Sequence, residues 1–194
     1  MEIGAIKAVQ DRLKTTKIEE SKGASLVFCW DTHLTKIKGR NVLFIVNASN
    51  RYTIAMTDIE PRNWNYYAMY ISRVIHGVMQ EMGYSEDQIG QYFKMSGDTI
   101  VTKTHGRKSV GGINRMVMDA QYFGKKLEKE AKYQWELSEY LNRDICQPEG
   151  FDAYGYPNEL FKLDMERLGI ATKRKPAKVI DFAQYIENNR GTND

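Results

Sequence analysis

The residues best suited to chemistry in this chain form one uninterrupted run, Lys103-Thr104-His105-Gly106-Arg107-Lys108-Ser109-Val110-Gly111-Gly112-Ile113-Asn114. The β-branched residues just before it, Thr99-Ile100-Val101-Thr102, read as a strand. A glycine-containing loop follows, and a helix begins near Ser109. Free backbone N–H groups at such a helix start attract anions. Lys103, Arg107 and Lys108 set positive charge beside them, and Thr104 and Ser109 add hydroxyl donors. The ligand this set suits is a phosphate. The order G-x-x-x-x-G-K-[ST] is absent, so the run is not a nucleotide P-loop. The alternative is that Ser109 only caps the helix while the cations stay solvated.

Catalysis would need a proton carrier. The chain has three histidines. His76 falls on a long helical stretch, beside its apolar stripe, and reads as packing or surface. His33 lies near the end of a strand and His105 lies in the basic loop, and either can move a proton near neutral pH. Cleavage of RNA by its own 2′-hydroxyl requires a base, an acid and a cation, but no metal. Lys103, Thr104, Arg107 and His33 can fill those roles. Arg40, Arg51, Lys108, Ser109, Asn114 and Arg115 would hold the phosphates, and Tyr52 would stack a base if its ring is open. Asp31 and His33 share a strand face, a thin basis for a metal, so neither a metal nor a cofactor is expected.

Charge placement agrees with this assignment. The net charge of +3 is small, but residues 32–57 carry Lys36, Lys38, Arg40 and Arg51 with no acid, and residues 99–118 carry Lys103, Arg107, Lys108 and Arg115 with no acid. A third basic run, Lys173-Arg174-Lys175 with Lys178, lies near the C-terminus. Clusters of this kind mark phosphate-binding surfaces, although solvated basic stretches look the same in sequence. Two cysteines, Cys29 and Cys146, make neither a disulfide framework nor a C-x-x-C site, so a reducing cytoplasm is the expected compartment. No apolar run approaches the ~20 residues of a membrane span, and no secretory leader is visible.

The elements that must position these residues follow from periodicity. A short helix is expected over 5–13. Strands are expected over 25–31, 42–46 and 52–57, joined by turns at 38–40 and 47–50 into an antiparallel meander. Trp64, Tyr67, Ile71, Val74, Ile75, Val78 and Met82 recur at steps of three and four, the mark of a long amphipathic helix. Ser85 and Gln88 form a capping-box pair for a shorter helix. A fourth strand is expected over 99–104, and a helix from Ser109 with Val110, Ile113, Val117, Ala120 and Leu127 as its buried stripe. Helices follow over 133–142, 157–168 and 177–188. The expected class is therefore α+β, an antiparallel sheet of about four strands packed by amphipathic helices, with a helical C-terminal half. Residues 1–170 form one domain, and 171–194 a basic linker and short helix or tail.

Several separated motifs resemble an uncharacterised family of small proteins from bacterial chromosomes, plasmids and phages. The matching residues are Cys29-Trp30, Arg40, Asn47, Arg51-Tyr52, Lys103-Thr104, Arg107, Ser109, Asn114 and Tyr156-Pro157-Asn158-Glu159-Leu160. They run from about residue 26 to residue 168. The chain departs from the pattern at Asp31, where the family has a histidine, and at Gly39-Arg40, where it has paired arginines. His33 lies two positions after the replaced histidine. A base at that position in relatives would have moved or been lost here. The mobile-element setting implies a counter-defence role, anti-CRISPR-like, with RNA or a CRISPR ribonucleoprotein as the partner. A metal-independent ribonuclease and an interaction module without nucleic-acid contact remain the alternatives.

Overall fold

The computed structural model describes residues 1–13 and 16–172, so the basic run and helix expected beyond 172 lie outside the described residues. The sheet holds five strands. Four residues that the periodicity leaves out of the sheet, Glu2–Ala5, form β1. The meander is present as β2 (Cys29–Ile37), β3 (Arg40–Asn47) and β4 (Thr53–Thr57), each antiparallel to the next. Its first strand is displaced from the expected 25–31, because Leu26–Phe28 form a 3-10 turn and the pairing with β3 continues to Ile37. The last strand, β5, spans Ile100–Thr102, and the order is β4-β3-β2-β1-β5.

The expectation of a four-stranded antiparallel sheet is thus corrected. β1 pairs in parallel with β2 on one side and β5 on the other, so the sheet is mixed. β1 escapes a sequence reading because four residues carry little alternation, and Glu2 and Gly4 occupy the positions of one face. The helix expected over 5–13 contracts to α1 (Lys7–Gln10).

The remaining helices are α2 (Pro61–Asn65), α3 (Tyr67–Glu81), α4 (Glu86–Ser96), α5 (Arg107–Gln121), α6 (Trp135–Asn142) and α7 (Pro157–Arg167). The long helix expected through 64–82 breaks at Tyr66, whose φ of −116° and ψ of 42° leave the helical region. The capping box is present: Ser85 Oγ accepts from the Gln88 amide at 3.3 Å, and Gln88 Oε1 accepts from the Ser85 amide at 3.0 Å.

Alternate residues of each strand feed two cores, which is why the strands read as apolar on both faces. Ile3, Trp30, Leu43, Ile45 and Ile54 pack with Ile71 and Ile75 of α3, Ile89 and Tyr92 of α4 and Phe161 of α7. Ile37, Val42, Phe44 and Ala55 pack with Ile113, Met116 and Ala120 of α5 and Leu137 and Leu141 of α6. Trp30 satisfies its indole by donating to Tyr92 Oη at 2.9 Å, and Tyr92 donates to the Val27 carbonyl at 2.7 Å.

α6 also closes the outer margin of β4. Gln134, Ser138 and Asn142 recur every four residues, so they line one face of the helix. The Gln134 amide donates to the Ala55 carbonyl at 2.9 Å. The Ala55 amide donates to Ser138 Oγ at 3.0 Å, the Thr53 amide to Asn142 Oδ1 at 2.7 Å, and Asn142 Nδ2 returns a bond to the Thr53 carbonyl at 2.8 Å. Backbone groups that a sixth strand would take are satisfied instead by the Ser138 and Asn142 side chains and by the main chain just before α6, at Gln134 and Lys132. Among the described residues no helix is long and apolar enough to cross a membrane.

Candidate functional site

The parallel strands bring Glu2 opposite Cys29 and Gly4 opposite Asp31, all on the sheet face that α5 covers. Gly4 is what lets the Asp31 carboxylate lie across β1. A Cβ at residue 4 would stand 1.9 Å from Asp31 Oδ1. Asp31 thereby reaches the loop after β5, where its Oδ1 lies 2.7 Å from His105 Nδ1 and accepts from the His105 amide at 3.1 Å. Its other oxygen accepts from the Ser109 hydroxyl. The far ring nitrogen, His105 Nε2, lies 3.0 Å from Glu2 Oε2. Glu2 Oε1 is held in turn by the amides of Lys22 at 2.7 Å and Ala24 at 3.3 Å.

The side chains of this cluster are closed off, at 7% exposed for His105, 2% for Glu2 and 0% for Asp31. Burial alone would drive the imidazole toward its neutral form. The hydrogen bond and charge of Asp31, with Cys29 adding to them, outweigh burial and raise His105 to about 10. Burial likewise pushes Glu2 up, but donors from Ser21, Lys22, His105 and Ala24 hold it below the ordinary carboxylate value. At neutral pH His105 is an imidazolium with a carboxylate on each side. It has no free nitrogen to accept a proton, so it is not the general base that its place in the loop suggested. It latches β1, β2 and the start of α5 together.

Ser109 is also placed differently from expectation. It sits inside the first turn and turns inward onto Asp31, while the N-cap position is Gly106, at φ 95°, with no side-chain cap. The first-turn N–H groups of α5 are therefore uncapped, and Lys103, Arg107 and Lys108 stand exposed around them. No ion pair engages any of the three among the described residues. Thr104 is half-buried, with its carbonyl accepting from the Gly106 amide at 3.0 Å.

The other expected phosphate ligands divide into two groups. Asn114 and Arg115 are exposed farther along α5, and Arg115 Nε reaches Asp119 Oδ1 at 3.3 Å. Arg51, at φ 62°, folds back so that Nη2 donates to the Gly112 carbonyl at 2.7 Å. It joins α5 but braces it. Arg40, on β3, is separated from β5 by β2 and β1 and donates to the Glu128 carbonyl at 2.6 Å, to Thr57 Oγ1 at 3.1 Å and to Asp58. It is a structural cation and does not share a site with Lys103. Tyr52 is 2% exposed, with its ring centroid 5.2 Å from that of Phe161; its face is not open to a base. His33 is half-buried, and burial lowers its pKa. Among the described residues no hydrogen bond joins it to Lys103, Thr104 or Arg107.

What the structure adds is the far end of the same helix surface. Arg107, Lys108, Gly111, Asn114, Arg115, Met118 and Tyr122 are all exposed, opposite the buried Ile113, Met116 and Ala120. The surface runs into a groove of about 730 Å³ between α5 and α6, lined by Arg115, Tyr122, Trp135, Tyr140 and Arg143 among others. Acids in the groove are partly matched: Lys125 meets Glu136 at 2.5 Å and Arg143 meets Glu139 at 3.0 Å. Met118 and Tyr122 could have been found from sequence, since they lie four and eight residues past Asn114, and seven and eleven past Gly111, at helical spacing. The buried roles of Glu2 and Asp31 depend on β1 and could not.

A family model described as Domain of unknown function (DUF6933) matches residues 2–160. No curated protein and no solved structure matches the chain.

Proposed function

We propose that this chain, which belongs to the family of Domain of unknown function (DUF6933), binds single-stranded nucleic acid, RNA foremost, along the outer surface of α5. One observation carries the reading: the exposed cations Lys103, Arg107 and Lys108 surround an uncapped helix start, on a surface that leads to exposed aromatic rings. Backbone N–H groups and guanidinium forks hold phosphate at one end. Tyr122, Trp135 and Tyr140 offer stacking faces at the other. The helix separates the two ends by about 22 Å at 1.5 Å per residue. In the finer, counter-defence reading, the strand is a guide RNA or lies in the nucleic-acid channel of a CRISPR nuclease. That finer reading rests on the family resemblance, whereas the binding reading rests on α5.

RNA cleavage is the second reading. The observation in its favour is His33, whose pKa burial lowers, which favours the neutral ring that can accept a proton.

The test is a gel-shift and cleavage assay with end-labelled single-stranded RNA in EDTA. The expected result is a retained, uncleaved complex whose log K falls with log salt at a slope near −2, from about −0.7 for each of three phosphates. Arg107→Lys keeps the charge but not the two-pronged geometry. It should weaken binding about tenfold or more, since a charge-assisted bond contributes roughly 1.5–3 kcal/mol. Cleaved product abolished by His33→Ala would establish the second reading. Absence of a complex at low salt, or a complex indifferent to Arg107→Ala, would dispose of the binding site.

A further inference from the structure

We propose that Glu2, Cys29 and His105 form a site for a divalent transition-metal ion of the zinc class, buried beneath the start of α5. The carboxylate oxygen, thiol sulfur and ring nitrogen of these residues all lie within 4.8 Å of one another. One oxygen, one sulfur and one nitrogen donor make a set that borderline-soft ions favour and that magnesium and calcium do not. Two of the donors sit directly opposite each other on paired strands, Glu2 of β1 against Cys29 of β2. The third comes from the loop that follows β5.

The surroundings are arranged as they are around metal-binding histidines. Asp31 Oδ1 takes the Nδ1 hydrogen of His105 at 2.7 Å, the carboxylate–histidine contact that fixes the ring and directs Nε2 at an ion. Glu2 is anchored through Oε1 by the amides of Lys22 and Ala24, which leaves Oε2 as its ligating oxygen. Oε2 now faces Nε2 at 3.0 Å. Bonds of about 2.0–2.3 Å in a tetrahedron set neighbouring donors roughly 3.3–3.8 Å apart. The pair at 3.0 Å must open by a few tenths of an ångström, and donors up to 4.8 Å apart must close by about 1 Å. Water completes the coordination.

The exchange balances in charge. The ion takes the place of the Nε2 proton and of the Cys29 thiol proton, so two protons leave as two positive charges enter. The net charge buried at the cluster is unchanged, and no further uncompensated charge is placed in the interior.

Cobalt(II) and zinc(II) are the probes. The protein is first freed of metal by dialysis against chelator. Titration with cobalt should then saturate at one equivalent, with a sulfur-to-cobalt charge-transfer band in the near ultraviolet, and zinc should abolish the band. Binding should release protons, because the thiol and imidazolium must lose theirs before they can ligate. Cys29→Ser should lose the band, while Cys146→Ser, at a buried cysteine that packs with Phe151 and Leu160 outside this cluster, should keep it. Should Cys29→Ser fail to fold, the wild type decides the matter through proton release and a zinc-dependent rise in Tm. No charge-transfer band with saturating cobalt, no released protons, or a band that disappears with Cys146 instead would overturn the proposal.

Discussion

Removing the imidazolium at residue 105 should change the shape of the stability–pH curve as well as its height. The folded His105 titrates at about 10 against an ordinary value of 6.5. A group raised in this way stabilises fully below 6.5 and loses its contribution as pH climbs through about 10. The rise of about 3.5 units corresponds to a ceiling near 5 kcal/mol at ~1.4 kcal/mol per unit. An independent route gives a similar size, because deleting one member of a buried ion pair costs about 3–5 kcal/mol. At pH 6, in EDTA, His105→Gln should therefore be less stable by about 3–5 kcal/mol, which in a chain of this length lowers Tm by roughly 10 °C. At pH 10 the wild type has lost most of its own advantage, and the gap should shrink to less than half. Urea melts of both proteins at pH 6, 8 and 10 measure this directly. Parallel curves, with the same gap at every pH, would refute the doubly bonded imidazolium whatever the size of the gap.

Three further outcomes are expected. Gly4→Ala should destabilise by about 1–3 kcal/mol, the usual range for overpacking, since its Cβ would meet Asp31 Oδ1 at 1.9 Å; thermal melts alongside Gly111→Ala, an exposed site with open space around it, would check this. Asn142→Ala leaves both backbone groups of Thr53 without their partner and should cost about 1–3 kcal/mol, read as earlier hydrogen exchange of β4 amides. Tyr122→Ala, at a ring 79% exposed, should weaken RNA binding by about 1–3 kcal/mol if a base stacks there, with Tm unchanged; unchanged affinity would confine the interface to the first turns of α5.

Local signals fared well in this chain and long-range ones did not. The last two strands of the meander, its two turns and the Ser85–Gln88 capping box are set by neighbours in sequence, and all are present, whereas the first strand lies at Cys29–Ile37 and not over 25–31. β1 is set by partners far along the chain, at Cys29–Thr32 and Ile100–Thr102. Its four residues contain nothing that announces them, and with β1 unseen the mixed character of the sheet was also unseen. The same gap hid the buried cluster: Asp31 read as a solvent-side residue of a half-buried strand, whereas α5 covers that face as well. Formal charge was the other weak guide. Arg40 and Arg51 belong to a basic stretch in sequence, yet each is engaged by carbonyls or an acid, whereas Lys103, Arg107 and Lys108 are not. Which cations are available to a ligand is a property of the tertiary contacts.

The ladder of Gln134, Ser138 and Asn142 bears on how this protein can meet others. Many partners recognise a sheet by adding a strand to its border, reading main chain with main chain. Here the β4 border already presents a helix, and at β5 the Val101 carbonyl is occupied by the Glu19 amide at 2.7 Å. Strand addition is closed at β4, so recognition there falls to side chains, which are open to change one residue at a time without disturbing the sheet. The same ladder is a hazard when it fails. A chain that sheds α6 would uncover an apolar strand, Thr53-Ile54-Ala55-Met56-Thr57, as a template for a second copy. Self-association on mild heating should therefore begin with the detachment of α6, before the sheet itself gives way.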